Sequence, residues 1–250
     1  MQMTIPAIGV ILPSSNRVVE RVTKVILADY PGIDACFSRV PYGGHPADGY
    51  DLQPFLQSAR MLAQAKPGII LWNATRGALL GFEPDRQLCA LIEEETGITA
   101  TTTALETPKL FHLLGLKRIA LLQQGDAGEG EHLVKTFATQ GISIVARRDL
   151  AISDNFEASS VPGDEIVRLA IELAGERPDA VLIWSTNLGG HALTTDLSER
   201  IKIPVFDSAA IGTIAALEKV RSQPKDFAIK GALAWSRLHR SAALSKNENR

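Results

Sequence analysis

Ile70-Leu71-Trp72-Asn73-Ala74-Thr75-Arg76-Gly77 and Leu182-Ile183-Trp184-Ser185-Thr186-Asn187-Leu188-Gly189-Gly190 are two versions of one pattern. In each, an aliphatic run of the kind buried in a parallel sheet passes through small hydroxyl or amide residues into glycine, where a strand opens into a loop. Open α/β sheets take their ligands just beyond the carboxyl ends of their strands. Two such ends, one in each half of the chain, predict a cleft between the halves that holds a small polar ligand.

Working outward, the same alternation repeats. Ala7 to Leu12 reads as a strand, the polar turn Pro13-Ser14-Ser15-Asn16 follows, and Val18, Val19, Val22 and Ile26 recur at helical spacing. Ser14, Ser15 or Asn16 serves as an N-cap or faces an anion, and the turn alone leaves both readings open. Strands are expected at Ala35 to Val40, Ile69 to Trp72, Ile98 to Thr101, Arg118 to Leu122, Ile142 to Arg147, Ala180 to Trp184 and Val205-Phe206. Helices are expected at Leu52 to Ala65, Glu83 to Glu95, Thr103 to Leu114, His132 to Thr139, Gly163 to Leu173, Ala192 to Arg200 and Ile211 to Val220. Ile152 to Phe156 reads as a loop. Ile8 and Ile119 are 111 positions apart and Trp72 and Trp184 are 112 apart, so two landmarks give nearly one offset. The expected fold is therefore α/β, with two pseudo-symmetric lobes, each a parallel sheet flanked by helices, and an interlobe cleft. The first lobe takes 1–115 plus 208–222 and the second 116–207. Residues 223–250 form a polar surface tail or an arm for a homo-oligomer around Trp235.

Composition narrows the function. With 250 residues, 45% apolar and 22% charged, the chain is long enough for a sizeable core and is not of the disordered class. A net charge of −2 with scattered lysines and arginines predicts no nucleic-acid partner. Met1-Gln2-Met3-Thr4-Ile5-Pro6 has neither a basic nor a long apolar region, and no apolar run reaches membrane-spanning length. A cytoplasmic location with no membrane contact is expected. Cys36 and Cys89 are far apart, without metal-ligand spacing, and are expected to be reduced thiols, Cys36 an inert one in an apolar strand.

Gly9-Val10-Ile11-Leu12-Pro13-Ser14-Ser15-Asn16, Thr101-Thr102-Thr103-Ala104-Leu105, Leu114-Gly115-Leu116-Lys117-Arg118-Ile119-Ala120, Ser153-Asp154-Asn155, Ser185-Thr186-Asn187-Leu188 and Ile203-Pro204-Val205 before Ser208 follow one another in an order and spacing that resembles the aspartate/glutamate racemase superfamily, in its branch of maleate cis-trans isomerases and arylmalonate decarboxylases. The resemblance runs from about Ile8 to Leu217. It implies two α/β lobes around the active site, no metal or organic cofactor, and a small carboxylate or dicarboxylate substrate (or a cyclic amide derived from one) held by backbone amides and Ser, Thr and Asn side chains. It also implies a cysteine on each lobe, one acting as nucleophile or base and the other as acid, a task suited to a thiolate.

This chain departs from that pattern where the chemistry sits. The first-lobe cysteine of the family pattern Ala-Cys-Thr-Ser-Gly falls on Ala74, and the second-lobe cysteine of Ser-Cys-Thr-Asn falls on Ser185. The family's Thr-Pro-Tyr becomes Gln123-Gln124-Gly125. Alanine carries no transferable proton, and a serine hydroxyl is a poor nucleophile without a base. The positions assigned to catalysis are thus Ala74, Ser185 and His191. A Ser185–His191 pair with Asp207 or Asp126 would imitate a hydrolytic triad, and His45 in its Gly-rich loop is a second candidate acid or base. Ser14, Asn16, Asn73, Thr75, Arg76, Gln123, Asn155, Thr186 and Asn187 are assigned to substrate binding. Arg76 either clamps a carboxylate or forms a surface ion pair with Glu83 or Asp85. Three functions stay open: a thiol-free isomerase, lyase or hydrolase; a non-catalytic small-acid-binding or regulatory protein; and an isomerase-like enzyme whose cysteines were engineered out.

Overall fold

The computed structural model describes residues 5–43 and 45–221, so the expectations for the tail and for Trp235 lie outside the described residues. Eight strands alternate with helices among them. The first sheet is built from β1 (Ala7–Pro13), β2 (Asp34–Val40), β3 (Ile69–Trp72) and β4 (Ala100–Thr102), in the order β2-β1-β3-β4. The second is built from β5 (Arg118–Gln123), β6 (Ser143–Asp149), β7 (Ala180–Trp184) and β8 (Val205–Asp207), in the order β6-β5-β7-β8. Every pairing is parallel. The two orders are the same permutation, so the expected α/β pair of pseudo-symmetric lobes is the fold of the chain.

The central strands explain themselves. β1 is buried at all seven positions and β7 at all five, as their unbroken aliphatic runs require once helices cover both faces of a parallel sheet. In each sheet the chain leaves the first strand toward one edge and returns to pair on the other side, which makes the gap beyond β1 and β3, and beyond β5 and β7, a topological switch point.

Two helices cross from the lobe that precedes them. α5 (Thr103–Leu114) follows β4, yet its Ala104 and Phe111 pack with Ile119, Leu121, Leu182 and Trp184 of the second sheet. α10 (Ser208–Val220) follows β8, yet its Ala209, Ala216, Leu217 and Val220 pack with Ile8, Val10 and Leu71 of the first. The helices meet at Gly212, where a Cβ would lie 2.1 Å from Thr103 Oγ1, so only glycine permits that approach. Burial of each large side chain at these crossings contributes roughly 1.5–3 kcal/mol. The crossings tie the lobes into one packed unit.

Several boundaries differ from the sequence reading, each for a local reason. The helix expected at His132 begins five residues earlier as α6 (Ala127–Thr139), because Asp126 Oδ1 accepts from Glu129 N at 2.9 Å and caps it. Gly128 and Gly130 hide that start from a propensity argument; Gly130 is needed because a Cβ there would meet Asp149 Oδ1 at 2.4 Å. α10 likewise starts at Ser208 rather than Ile211, with Asp207 as its cap. The strand expected at Ile98 to Thr101 is Ala100–Thr102. Two short helices stand where loops were expected: α3 (Arg76–Leu79) and α7 (Asn155–Ala158), the latter capped by Asp154. The remaining helices are α1 (Val19–Leu27), α2 (Leu52–Ala63), α4 (Glu83–Thr96), α8 (Gly163–Ala174) and α9 (Thr194–Ile201). No helix among the described residues is long and apolar enough to cross a membrane.

Candidate active site

The carboxyl ends of the two sheets face one another across a cavity of about 320 Å³. Pro13, Trp72, Leu79, Leu133 and Trp184 give it apolar walls. Ala74, Thr75 and Arg76 line it from the loop after β3, and Ser185 and Thr186 from the loop after β7. Gln123, Gln124 and Asn155 complete the second-lobe side, and Tyr42, His45 and Glu129 stand around the mouth. The paired stretches therefore do meet in one hollow.

Arg76 is the one fixed cation among the described lining residues. Neither of its expected ion pairs forms: Glu83 pairs with Arg86 at 3.2 Å, and Asp85 is enclosed by Tyr50 and Thr102. Its Nη2 donates instead to Pro46 O at 2.9 Å and to Gly49 O at 3.5 Å, which orients the guanidinium and fastens the loop over the mouth. Its Nε is buried with no hydrogen-bond partner. A donor left in that state carries a desolvation cost.

Most of the amides assigned to binding are already engaged. Asn16 is buried; its Nδ2 donates to Thr186 O and Thr186 Oγ1 at 3.2 Å each, and its Oδ1 accepts from Val18 N and Val19 N at 2.9 Å each. Asn187 Oδ1 accepts from Arg17 N at 2.8 Å, and its Nδ2 donates to Asn155 O. Asn155 Nδ2 donates to Ser15 Oγ at 2.9 Å. Together these bonds fasten the turn after β1 to the loop after β7, fixing how the two lobes sit across the cavity. Asn73 points away from it: its Nδ2 donates to Ala209 O and Thr213 Oγ1, and its Oδ1 accepts from Thr103 Oγ1, so it joins β3 to both crossing helices. Ser14 Oγ accepts from Tyr42 N at 3.2 Å and holds the mouth loop. Gln123 lines the cavity, but its Oε1 accepts from Gly125 N at 2.6 Å and its Nε2 faces Gly125 O, Asp126 O and Asp149 Oδ1, shaping the loop. Thr75, Arg76, Ser185 and Thr186 line the hollow, the Thr186 hydroxyl while also accepting from Asn16.

The positions assigned to catalysis fare differently. Ala74 lines the cavity with a methyl group. Ser185 Oγ donates to Gln124 Oε1 at 2.6 Å and accepts from Asn187 N at 3.1 Å, a turn-forming role that leaves it facing an amide rather than a base. His191 opens a 3₁₀ turn (His191–Leu193), does not line the cavity, and forms no hydrogen bond to Ser185 among the described residues. Asp207 and Asp126 are occupied as caps of α10 and α6. The triad geometry is therefore absent. His45 accepts through Nδ1 from Asp51 N at 3.3 Å and bonds the Pro41 backbone; burial, then Arg76, lowers its pKa. Cys89 is buried beside Asp85, with its thiol pushed up to about 12 chiefly by desolvation, and Cys36 is half-buried in β2. Neither lines the cavity.

Two features escaped the sequence reading. Glu129 reaches the mouth from the first turn of α6. The spacing Asp126-Ala127-Gly128-Glu129 is a capping-box pattern, the signal that would have located both the helix start and this carboxylate. One glycine of each paired stretch, second, faces a buried carboxyl. A Cβ on Gly77 would lie 2.1 Å from Asp85 Cγ, and one on Gly190 would lie 3.0 Å from Asp207 Oδ2. Desolvation raises Asp85 to about 6 and Asp207 to about 7. Asp85 Oδ1 accepts from Tyr50 Oη at 2.5 Å, which in turn accepts from Trp72 Nε1 at 3.3 Å, so this network stiffens the cavity wall from behind.

A family model described as arylmalonate decarboxylase matches residues 55–233. The chain is 25% identical over 241 residues to a maleate isomerase of Nocardia farcinica, covering 92% of this chain and 95% of that protein. It is 23% identical over 216 residues to an arylmalonate decarboxylase of Bordetella bronchiseptica, covering 84% and 89%. Among solved structures, a cysteine-to-serine mutant of the Nocardia farcinica maleate cis-trans isomerase with a covalently bound succinylcysteine intermediate superposes with a TM-score of 0.75 at 21% identity, over 86% of this chain and 93% of that one.

Proposed function

Because the chain belongs to the arylmalonate decarboxylase family, we propose that it is an enzyme acting on a small carboxylate held between its lobes, and that it works without a thiol at either position equivalent to the family's cysteines. One observation carries this reading: the guanidinium of Arg76, the one fixed cation among the described lining residues, stands in a hollow beside the Thr75 and Thr186 hydroxyls and between apolar walls. Arg76 would take the substrate carboxylate, with Thr75 and Thr186 completing its hydrogen bonds. Trp72, Trp184, Leu79 and Leu133 would hold the rest of the molecule away from water. If charge moves onto the carboxylate during reaction, as when a bond at the neighbouring carbon breaks, the same guanidinium gains attraction in the transition state. That is the condition for its binding to accelerate a reaction. The relative with a succinylcysteine intermediate uses a thiol; Ala74 and Ser185 offer none. No residue of this reading requires a metal or an organic cofactor.

A second reading has its own support. With a methyl group at position 74 and the Ser185 hydroxyl committed to Gln124, a protein that binds a small acid without turnover would use the same cavity. Calorimetric titration with a panel of small mono- and dicarboxylates separates these, with product formation and solvent deuterium uptake at carbon followed by NMR. Binding is expected, and Arg76→Ala is expected to weaken it about 10- to 100-fold, the loss of one charge-assisted bidentate contact. Binding with neither product nor exchange supports the non-catalytic reading. Affinity unchanged in Arg76→Ala refutes the carboxylate site.

A further inference from the structure

We propose that Glu129 is the proton-transfer group of this cavity, standing in for the absent thiol chemistry by moving a proton to and from the carbon next to the bound carboxylate. The assignment rests on the carboxylate-binding reading above and goes beyond it. It follows first from elimination among the lining side chains able to hold a proton. Ala74 has none to give. Ser185 faces the Gln124 amide. The His45 ring is spent on the mouth loop, between Asp51 N and the Pro41 backbone. Burial and then the Glu129 charge raise the Tyr42 phenol, so it stays protonated and is a poor base. Glu129 alone among these offers a carboxyl group, and among the described residues that carboxyl forms neither a hydrogen bond nor an ion pair.

The backbone makes room for it. A Cβ placed on Gly125 would lie 1.5 Å from Glu129 Oε2 and 3.0 Å from Gln123 Oε1, so any other residue at 125 would displace the carboxylate from where it stands. In a capping box the glutamate turns back to the N-cap amide. Here Glu129 N bonds Asp126 Oδ1, yet the Glu129 side chain makes no return bond and reaches the cavity instead. The groups acting on it are Asp126 and His132 on its own helix, Arg76 across the cavity on α3, and Tyr42 on the mouth loop. Desolvation and then Asp126 raise its pKa, against the opposing pull of Arg76 and His132. That direction suits a carboxylate acting as a base.

In the step proposed, a Glu129 oxygen takes the proton of the substrate's α-carbon. The C–H bond breaks as the O–H bond forms, and the freed pair enters the bond between that carbon and the carboxylate, giving an enediolate beside Arg76. Return of a proton from Glu129 to the carbon restores the acid. At the mouth the Glu129 proton exchanges with water, so each cycle in heavy water exchanges hydrogen for deuterium.

The test uses the full chain and its Glu129→Gln and Glu129→Asp variants, with short-chain mono- and dicarboxylates as probes. Deuterium uptake at carbon is expected to fall at least 100-fold in Glu129→Gln and to recover in part in Glu129→Asp. Carboxylate affinity in the wild type is expected to weaken as pH rises and Glu129 ionises, because two anions then share one hollow. Glu129→Gln is expected to remove that pH dependence and to bind about tenfold more tightly at pH 8. A structural role would not produce tighter binding together with lost exchange. Carboxylate binding with pH-independent affinity, wild-type binding without exchange, or undiminished exchange in Glu129→Gln overturns the assignment while leaving the carboxylate site intact. No carboxylate binding by the wild type at any pH overturns the site and the assignment with it.

Discussion

Replacing Asn16 by alanine probes what holds the lobes in register. The side chain is 1% exposed and makes four contacts: two acceptances from Val18 N and Val19 N at 2.9 Å, and two donations to Thr186 at 3.2 Å. Loss of the acceptor leaves Val18 N and Val19 N, the amides that lead into α1, without that partner, at about 1 kcal/mol. Loss of the donor leaves the buried Thr186 carbonyl without that partner, at about 1–3 kcal/mol. The sum expected for Asn16→Ala is about 2–4 kcal/mol. Because α5 and α10 each pack on the other lobe's sheet, the loss should appear in a single cooperative urea transition rather than in one lobe alone. With a slope of about 2–3 kcal/mol/M, the midpoint should fall by roughly 1 M while the slope stays constant. A double-mutant cycle with Thr186→Val isolates the bond from Asn16 Nδ2 to the Thr186 hydroxyl, the bond to the Thr186 carbonyl being kept, with a coupling of about 0.5–1.5 kcal/mol expected. A total cost below about 0.5 kcal/mol would show that these bonds do not hold the lobes together, and strict additivity with Thr186→Val would remove the hydroxyl bond from the account.

Two further outcomes follow from the buried carboxyls. Asp207 is raised from 3.8 to about 7 in the folded chain, so the native state holds its proton more tightly than the unfolded state does. Its contribution is fully present below about pH 4 and is lost as pH rises toward and through 7; Asp85, raised to about 6, acts with the same sign. Asp207→Asn, which keeps an oxygen to cap α10, should flatten the decline in stability between pH 4 and 7, measured by urea titrations across that range; an unchanged decline refutes the assignment. Gly77→Ala forces a methyl group to 2.1 Å from Asp85 Cγ and should cost about 1–3 kcal/mol by overpacking, read as a lower melting temperature. Asp85→Ala in the same chain should recover part of that loss, and a full, undiminished cost in the double variant would show the clash lies elsewhere.

The sequence by itself determined the α/β fold, because a buried parallel strand must be apolar on both faces and a repeated strand-to-glycine pattern leaves few other arrangements. Ile69–Trp72 and Ala180–Trp184 were legible to the residue for that reason. It also marked Thr75, Arg76, Ser185 and Thr186, since strand ends at a switch point are where side chains can face a ligand. Tertiary structure alone decided which polar groups line the cavity. Asn73 and Thr75 lie two residues apart, a spacing that would share one face of a strand, yet one braces α10 from within the core and the other lines the cavity, because β3 ends at Trp72 and the chain turns between them. Asn16 and Thr186 meet only through a contact spanning 170 residues, which no local pattern encodes. Glu129 was hidden behind the glycines of its own helix, and its place at the mouth depends on a missing Cβ at Gly125 and a guanidinium on the other lobe. Hydrogen bonds and charges act over a few ångströms of space, and only the folded chain sets which residues lie that close.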